Sequence, residues 1–177
     1  MTEVKPQVWV GAEEPQPEKV DPIKNSEDAP MKKPLGGLWT STLKEENGEK
    51  TCSWIEWMKA EKWCNVQEPK AWILYPEEDL SIYTINDVQD AAGIMKPDER
   101  YRSLSIEEYT IDWAQVFGIE DHDAIHLTEE GQWRTRYPNK GWRDEDGNRT
   151  WEKKYTGYRK YSLYGWDCEC YLWEGWN

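Results

Sequence analysis

The stretch that decides the fold is LGGLWTST, which occupies residues 35–42. Its two glycines permit close backbone approach, and the aromatic and β-branched residues after them favour a β-strand. A second stretch, GWDCECYLW at residues 165–173, alternates with the two-residue period of a strand. We therefore predict one strand near the start of the chain and another at its end, with the rest of a sheet between them.

Further strands are predicted where short runs of aromatic, β-branched and aliphatic residues lie between turn-forming residues. These runs occupy residues 8–10, 72–75, 80–85 and 123–128. Asn47-Gly48 predicts a tight turn, because both residue types accept the positive φ angles that hairpin turns need.

Helix starts are predicted where a polar capping residue precedes an apolar pattern. The three predicted helices run from Ser53 to about Trp63, from Asn86 to Ala92 and from about Ile111 to Gly118, with capping pairs at Ser53 and Glu56 and at Ser105 and Glu108. Strands and helices do not alternate in the regular order of a doubly wound parallel sheet. The fold class predicted is therefore α+β, a mixed sheet with short flanking helices.

A chain of 177 residues fits one domain, which we predict to cover residues 1–177. The segment 13–33 alternates Pro, Asp, Glu and Lys with almost no apolar residues, which predicts an extended arm within that domain. Residues 132–161 are rich in Gly, Asn, Arg and Asp, which predicts a hairpin or a long surface loop. The 13 Trp and 10 Tyr supply the core that a polar chain needs, since each buried ring removes a large area from water.

The net charge of −13 excludes some classes of function. Non-specific binding to nucleic acid needs clustered Lys and Arg, which this acidic chain does not offer. No apolar run approaches the length of a membrane span, and the N-terminus has no basic segment followed by an apolar one. We therefore expect a cytoplasmic protein that does not engage membranes, with a basic protein as one possible type of partner.

Histidine and cysteine spacing gives no metal site in this sequence. His122 and His126 are four residues apart, which would suit two ligands on a helix. On the predicted strand, however, such residues are ~13 Å apart, so we expect one loop histidine and one sheet histidine. Cys52 and Cys64, like Cys168 and Cys170, lack the spacing of zinc ligands and are interpreted as reduced thiols.

Glu169 is the carboxylate that the sequence singles out for chemistry. A single Glu on a strand usually faces solvent. Here the hydroxyl-rich segment Thr40-Ser41-Thr42 and the nearby Trp166 offer partners of the kind that a functional carboxylate uses. The Trp-rich composition also leaves open an exposed aromatic surface for stacking on sugars or bases.

Four segments resemble an uncharacterised family of bacterial and phage proteins related to ADP-ribosyltransferases. They are KPLGGLWTS at residues 33–41, SWIEW at 53–57, the strand at 123–128, and GWDCE at 165–169. Their order and spacing cover nearly the whole chain. The resemblance implies an ADP-ribosyltransferase-like split mixed sheet that holds NAD in a cleft, in the host cytoplasm if the chain is encoded by a phage.

The resemblance also implies roles for individual residues. Glu169 would be the catalytic carboxylate, because cleavage at the nicotinamide ribose builds positive charge that a fixed carboxylate stabilises. Ser41 or Thr40 would contact the nicotinamide ribose, Trp39 would wall the pocket, and Gly37 belongs to the same NAD-binding segment. No metal is implied.

The chain departs from the family pattern at two positions. Val10 stands where the first strand usually carries Arg or His, and Cys170 stands where the pattern has Ser. Two functions follow as hypotheses: transfer of ADP-ribose from NAD to an unknown macromolecular acceptor, or an inactive relative that acts as a protein-interaction module. A third class, a carbohydrate-binding module, would require exposed Trp in a flat row.

Overall fold

The computed structural model describes residues 4–26, 33–62, 70–99, 109–136, 142–143, 149–150 and 161–175. These residues form a six-stranded mixed sheet with short helices, which confirms the predicted α+β class. No helix among them is long and apolar enough to span a membrane.

The strands of the described residues are short. They are β1 (Gln7–Val10), β2 (Leu38–Thr42), β3 (Lys44–Glu46), β4 (Glu49–Thr51), β5 (Ala71–Leu74), β6 (Ile82–Ile85), β7 (Met95–Pro97), β8 (Tyr109–Ile111), β9 (Ala124–Leu127), β10 (Trp142–Arg143), β11 (Arg149–Thr150) and β12 (Cys170–Trp173). The helices are α1 (Ser53–Ala60), α2 (Val88–Gly93) and α3 (Glu129–Arg136), with a 3-10 turn at Pro17–Lys19 and a π-helix at Ala114–Ile119.

The main sheet has the strand order β5-β1-β2-β12-β9-β6. Neighbouring strands in this sheet are antiparallel to each other, except that β6 and β9 are parallel. The last strand of the chain therefore lies in the middle of the sheet, where Tyr171 pairs with Thr40 of β2 and with His126 of β9. This position explains why β12 is buried along its whole length.

Two strands at the centre of the sheet separate part of the way along. The pairing of β1 with β2 covers Gln7 with Thr42 and Val8 with Ser41. Beyond Val8, β1 continues to pair with β5, whereas the first half of β2 pairs with β12. The sheet is thus held together between β1 and β2 over a short stretch only.

Strand alternation gives the sheet two different faces. The helix face carries Ile125, Leu127 and Leu172, which pack against Val116 and Phe117 of the π-helix in the largest core cluster. We call the other side the open face. It carries a smaller cluster, which includes Leu38, Ala124, Tyr171 and Trp173.

Two predicted N-cap residues are corrected by one residue. Cys52 precedes α1 as its N-cap without a side-chain hydrogen bond, and the Ser53 hydroxyl instead donates to Glu129 Oε1 at 3.1 Å. The predicted capping box at Ser53 is therefore wrong, and α1 ends at Ala60, short of the predicted Trp63. In α2 the N-cap is Asp87, not Asn86, because the Asp87 carboxylate accepts the backbone N–H groups of the first turn.

The third predicted helix is partly wrong. Ile111 belongs to β8, where it pairs with Met95, and its strand conformation is fixed by that partner. The helical turn begins at Ala114, has the wide π geometry, and continues through Gly118 to Ile119. The predicted capping pair at Ser105 and Glu108 lies outside the described residues.

The predicted loop at 132–161 begins with a helix instead. Residues 132–136 belong to α3, which starts where the Thr128 hydroxyl accepts the Gly131 N–H at 2.9 Å. Further along, β10 and β11 pair antiparallel. Of the predicted arm at 13–33, residues 13–26 are described. They contain the 3-10 turn and a bridge from Lys24 to Leu35 that fastens them to the start of β2.

Local turn chemistry predicted the β3–β4 hairpin correctly. Asn47 and Gly48 have φ angles of 53° and 82° and join the two strands. The predicted terminal strand at 165–173 is shorter than expected, because the strand begins only at Cys170. Before it, Trp166 is fully buried in the core of the helix face.

Replacing Gly37 by Ala should destabilise the fold. Gly37 has a φ of +68°, and an added Cβ would lie 2.4 Å from Leu172 Cδ1 and 3.0 Å from the Trp173 carbonyl oxygen. Gly48 also has a positive φ, but nothing lies within 4 Å of an added Cβ, so Gly48→Ala is the matched control. In urea unfolding we expect Gly37→Ala to cost roughly 1–3 kcal/mol more than the control. Equal losses would contradict the packing explanation.

Candidate active site around Glu169

Glu169 lies immediately before β12, and it is 5% exposed. The pairing of β2 with β12 ends at Thr40, and the next two residues of β2 bind the carboxylate. The Ser41 hydroxyl donates to Oε2 at 2.7 Å, and the Thr42 hydroxyl donates to Oε1 at 2.7 Å. The Thr42 backbone N–H donates to Oε2 at 3.1 Å. The carboxylate thus closes one end of the β2–β12 ladder.

His126 of β9 binds the same carboxylate from the other side. Its Nε2 lies 3.1 Å from Glu169 Oε1, and because an ionised carboxylate only accepts, Nε2 carries the hydrogen. The imidazole is stacked on the ring of Tyr171, with centroids 3.9 Å apart, and Tyr171 is stacked in turn on Trp173. Among the described residues, the His126 Nδ1 has no hydrogen-bond partner.

Opposing effects act on the charge of Glu169. Burial by itself raises the pKa of its carboxyl, but the hydrogen bonds from His126, Thr42 and Ser41 outweigh burial and hold the pKa below the ordinary value. Glu169 is therefore ionised at neutral pH. Burial, together with this negative charge, raises the pKa of Tyr171 to about 12, so Tyr171 remains a neutral phenol.

A cavity of about 630 Å³ opens beside this network on the open face. Thr42, His126 and Tyr171 line it together with Lys5 and Thr84. None of its described lining residues is Asp or Glu, although the chain as a whole carries 35 acidic residues against 22 basic ones. Its two ionisable nitrogen groups, on Lys5 and His126, make this cavity suited to an anionic or hydroxyl-rich ligand.

The opposite end of the open face has the reverse charge. A cavity of about 360 Å³ is lined there by four carboxylates and by His122. The carboxylates belong to Glu77, Asp121, Asp123 and Glu174. His122 contacts Ser81 Oγ at 2.9 Å and Glu120 Oε2 at 3.2 Å, outside any strand. The expectation of one loop histidine and one sheet histidine is confirmed.

Trp39 lies on the helix face, away from the carboxylate of Glu169. It lines a pocket of about 250 Å³ with Trp54, Trp166 and Val10. Its ring meets Trp166 edge-on at 4.9 Å, and its Nε1 donates to the Gly36 carbonyl at 3.2 Å. Trp39 therefore walls a pocket as the resemblance implies, but that pocket is not the cavity beside His126.

Thr40 and Gly37 have structural partners of their own. The Thr40 hydroxyl donates to Gln7 Oε1 at 2.9 Å and accepts the Trp173 Nε1–H at 2.8 Å, so its one hydrogen is used. The Gly37 N–H donates to the Asp21 carbonyl at 2.8 Å. Of the residues that the sequence singled out, the structure brings Ser41 and Glu169 together and leaves Trp39, Thr40 and Gly37 apart from them.

Sequence analysis named Thr42 only as part of a hydroxyl segment and did not connect His126 with Glu169. Thr42 belongs to the hydroxyl run that attracted notice, and its contact follows from the strand end at Glu169. His126 was considered only as a metal ligand, since nothing local reveals that β9 lies next to β12. The described cysteines, Cys52, Cys168 and Cys170, are free and buried, and burial raises the pKa of each thiol.

Comparison of the chain with protein-family models, with curated proteins and with solved structures found no match in any of the three. The resemblance to ADP-ribosyltransferases therefore stays a hypothesis that rests on the four segments quoted above.

The stabilising effect of Glu169 should depend on pH. Since its pKa is lowered in the folded state, the ionised carboxylate stabilises the fold above the ordinary carboxyl pKa of about 4.3, and this contribution is lost as the pH falls through the folded value. At pH 7 we expect Glu169→Gln to lower the free energy of unfolding by roughly 1–3 kcal/mol.

Urea unfolding of wild type and Glu169→Gln is measured from pH 7 down to pH 3. The control is Glu174→Gln, which replaces an exposed glutamate. The difference between wild type and Glu169→Gln should shrink as the pH falls. A difference that stays constant over this range would show that the lost charge is not what destabilises the variant.

Proposed function

We propose that this chain is an ADP-ribosyltransferase-like protein that binds NAD in the open-face cavity and transfers ADP-ribose to a macromolecular acceptor. The observation that carries the proposal is the buried Glu169 carboxylate, which the hydroxyls of Ser41 and Thr42 bind directly behind two residues of the cavity wall, Thr42 and His126. Ser41 and Glu169 belong to two of the four segments that carry the resemblance. Ser41 and Thr42 lie 128 and 127 residues from Glu169 in sequence.

The chemistry needs a carboxylate that is charged and held in place. Cleavage of the bond between nicotinamide and ribose leaves positive charge on the sugar, which a fixed negative group stabilises most when it needs no reorganisation. Glu169 has both properties, because its pKa is lowered and its donors fix its orientation. His126 would hold the carboxylate in this ionised form.

Size and charge favour the open-face cavity over the Trp39 pocket as the NAD site. Ligand sites are commonly ~300–1,000 Å³, a range that includes the cavity of about 630 Å³ and excludes the pocket of about 250 Å³. Lys5 adds a charged nitrogen donor for the phosphates of NAD. In this proposal, Trp39 and Gly37 support the sheet and do not contact NAD.

The basic residue that the family pattern places at Val10 has a possible substitute nearby in the chain, which is Lys5. Val10 lines the Trp39 pocket on the helix face. Lys5, which lies two residues before β1, lines the open-face cavity. A basic group is thus present beside the proposed NAD site even though the strand itself carries Val10. The short pairing of β1 with β2 supports the split sheet that the resemblance implies.

One observation favours the alternative, an inactive relative that acts as an interaction module. Each oxygen of the Glu169 carboxylate already accepts two donors: Oε1 from Thr42 and His126, and Oε2 from Ser41 and the Thr42 N–H. A ribose hydroxyl would have to displace one of them. If none can be displaced, the carboxylate only holds the sheet together, and the charge of −13 then favours a basic protein partner.

The proposal is tested by calorimetric titration with NAD and by an assay of nicotinamide release. We expect wild type and Glu169→Gln to bind NAD, and release to fall by about 10²-fold or more in the variant, because the group that stabilises the developing charge is lost. Glu174→Gln should behave as wild type. Unchanged nicotinamide release in Glu169→Gln would contradict the catalytic role of Glu169. Absence of binding by wild type at millimolar NAD would favour the interaction module.

Lys5→Met tests where NAD lies. Loss of the ammonium group should weaken NAD binding several-fold and reduce its salt dependence, because a charge-assisted contact to phosphate is removed. Lys50→Met, on the exposed β3–β4 hairpin, is the matched control. Equal affinity of Lys5→Met and Lys50→Met for NAD would show that the phosphates of NAD do not lie beside Lys5.

A further inference from the structure

The Trp39 pocket lies on the opposite face of the sheet from the cavity beside His126. Its walls include the indole rings of Trp39, Trp54 and Trp166. Trp54 comes from α1 and Trp166 from the segment before β12, so three separate parts of the chain enclose it. The pocket includes neither Glu169 nor His126 among its lining residues.

This pocket is a partly open cleft among large flat side chains. Its volume is about 250 Å³, and the indoles of Trp39 and Trp54 are the partly buried rings that line it. Indole faces and edges favour flat rings as packing partners. Such a volume accommodates a group of one or two rings, smaller than a drug-sized ligand.

The charged groups of the pocket are an ion pair. Lys33 Nζ lies 3.1 Å from Asp167 Oδ2, and it also lies over the rings of Trp39 and Trp54 at 5.3 and 5.1 Å from their centroids. Lys33 is a donor and Asp167 an acceptor, so the pair presents both functions side by side. Both side chains line the pocket and are partly exposed.

We propose that this pocket binds a small uncharged heteroaromatic ring whose edge carries an acceptor next to a donor, as in a nucleobase or an aromatic carboxamide. The ring would stack on the partly buried indoles of Trp39 and Trp54, its acceptor facing Lys33 and its donor facing Asp167. Lys33 and Asp167 neutralise each other, so the pair offers no net charge to attract a charged ring. The ring chemistry, not the source of the ring, is what the pocket recognises.

The site is independent of the proposed NAD chemistry at Glu169. The Trp-rich sequence left open an aromatic surface for stacking, and the rings of Trp39 and Trp54 offer one here, apart from the open-face cavity. Binding of a free ring on the helix face and NAD turnover on the open face therefore succeed or fail separately.

The first test compares ligands on the full wild-type chain. Calorimetric titrations use adenine and nicotinamide, which carry the donor–acceptor edge, beside benzoate, which is charged and lacks a donor, and indole, which lacks an acceptor. We expect adenine or nicotinamide to bind at least tenfold more tightly than benzoate and indole. Equal affinity for all four, or no binding of adenine and nicotinamide at their solubility limits, would overturn the proposal.

The second test locates the binding. Lys33→Met keeps the side-chain stem over the indoles but removes the donor, and Asp167→Asn removes the charge of the acceptor. Each should weaken ring binding at least tenfold, whereas Lys50→Met should not. Glu169→Gln should lose nicotinamide release yet keep ring binding. Ring binding that survives Lys33→Met, or that disappears in Glu169→Gln, would assign the ring to a different site.

Discussion

The buried negative charge of Glu169 is the constraint on which the centre of the structure depends. An unpaired carboxylate at this depth would be costly, so donors must reach it from the neighbouring strands. Ser41 and Thr42 reach it from β2 and His126 from β9. These bonds form only when β12 lies between the two strands in its observed register. The requirement to satisfy one charge thus fixes where the end of the chain inserts into the sheet.

The two-residue period of β2 divides its chemistry between two sides of the sheet. Trp39 faces the helices, where it forms a pocket with other indoles, whereas Thr40 faces the other way and is fixed by Gln7 and Trp173. At the end of β2, two adjacent residues no longer serve different sides of the sheet. Ser41 and Thr42 both reach Glu169, because the carboxylate lies beyond the last paired residue and is accessible from either side.

Aromatic side chains let an acidic chain with 32% charged residues hold a packed sheet. Trp166 fills the core of the helix face, and Tyr171 and Trp173 form a stack with His126 on the open face. Tyr171 is stacked on the imidazole of His126. The stack therefore buries apolar area and also orients the side chain that donates a hydrogen bond to Glu169. Packing and the chemistry of the site therefore depend on the same residues.

The sequence by itself determined the features that local chemistry controls. It predicted the α+β class, the main strands, the Asn47-Gly48 turn and the close backbone approach at Gly37, and it drew attention to Ser41 and Glu169. The N-cap of α2 was displaced by one residue because the neighbouring Asp87 carboxylate was the better cap. Only the tertiary structure decided that His126 meets Glu169, 43 residues away, and that Trp39 lies elsewhere. The physical reason is that strand periodicity specifies the face on which a side chain lies, whereas strand order, which depends on packing of the whole chain, specifies its neighbour.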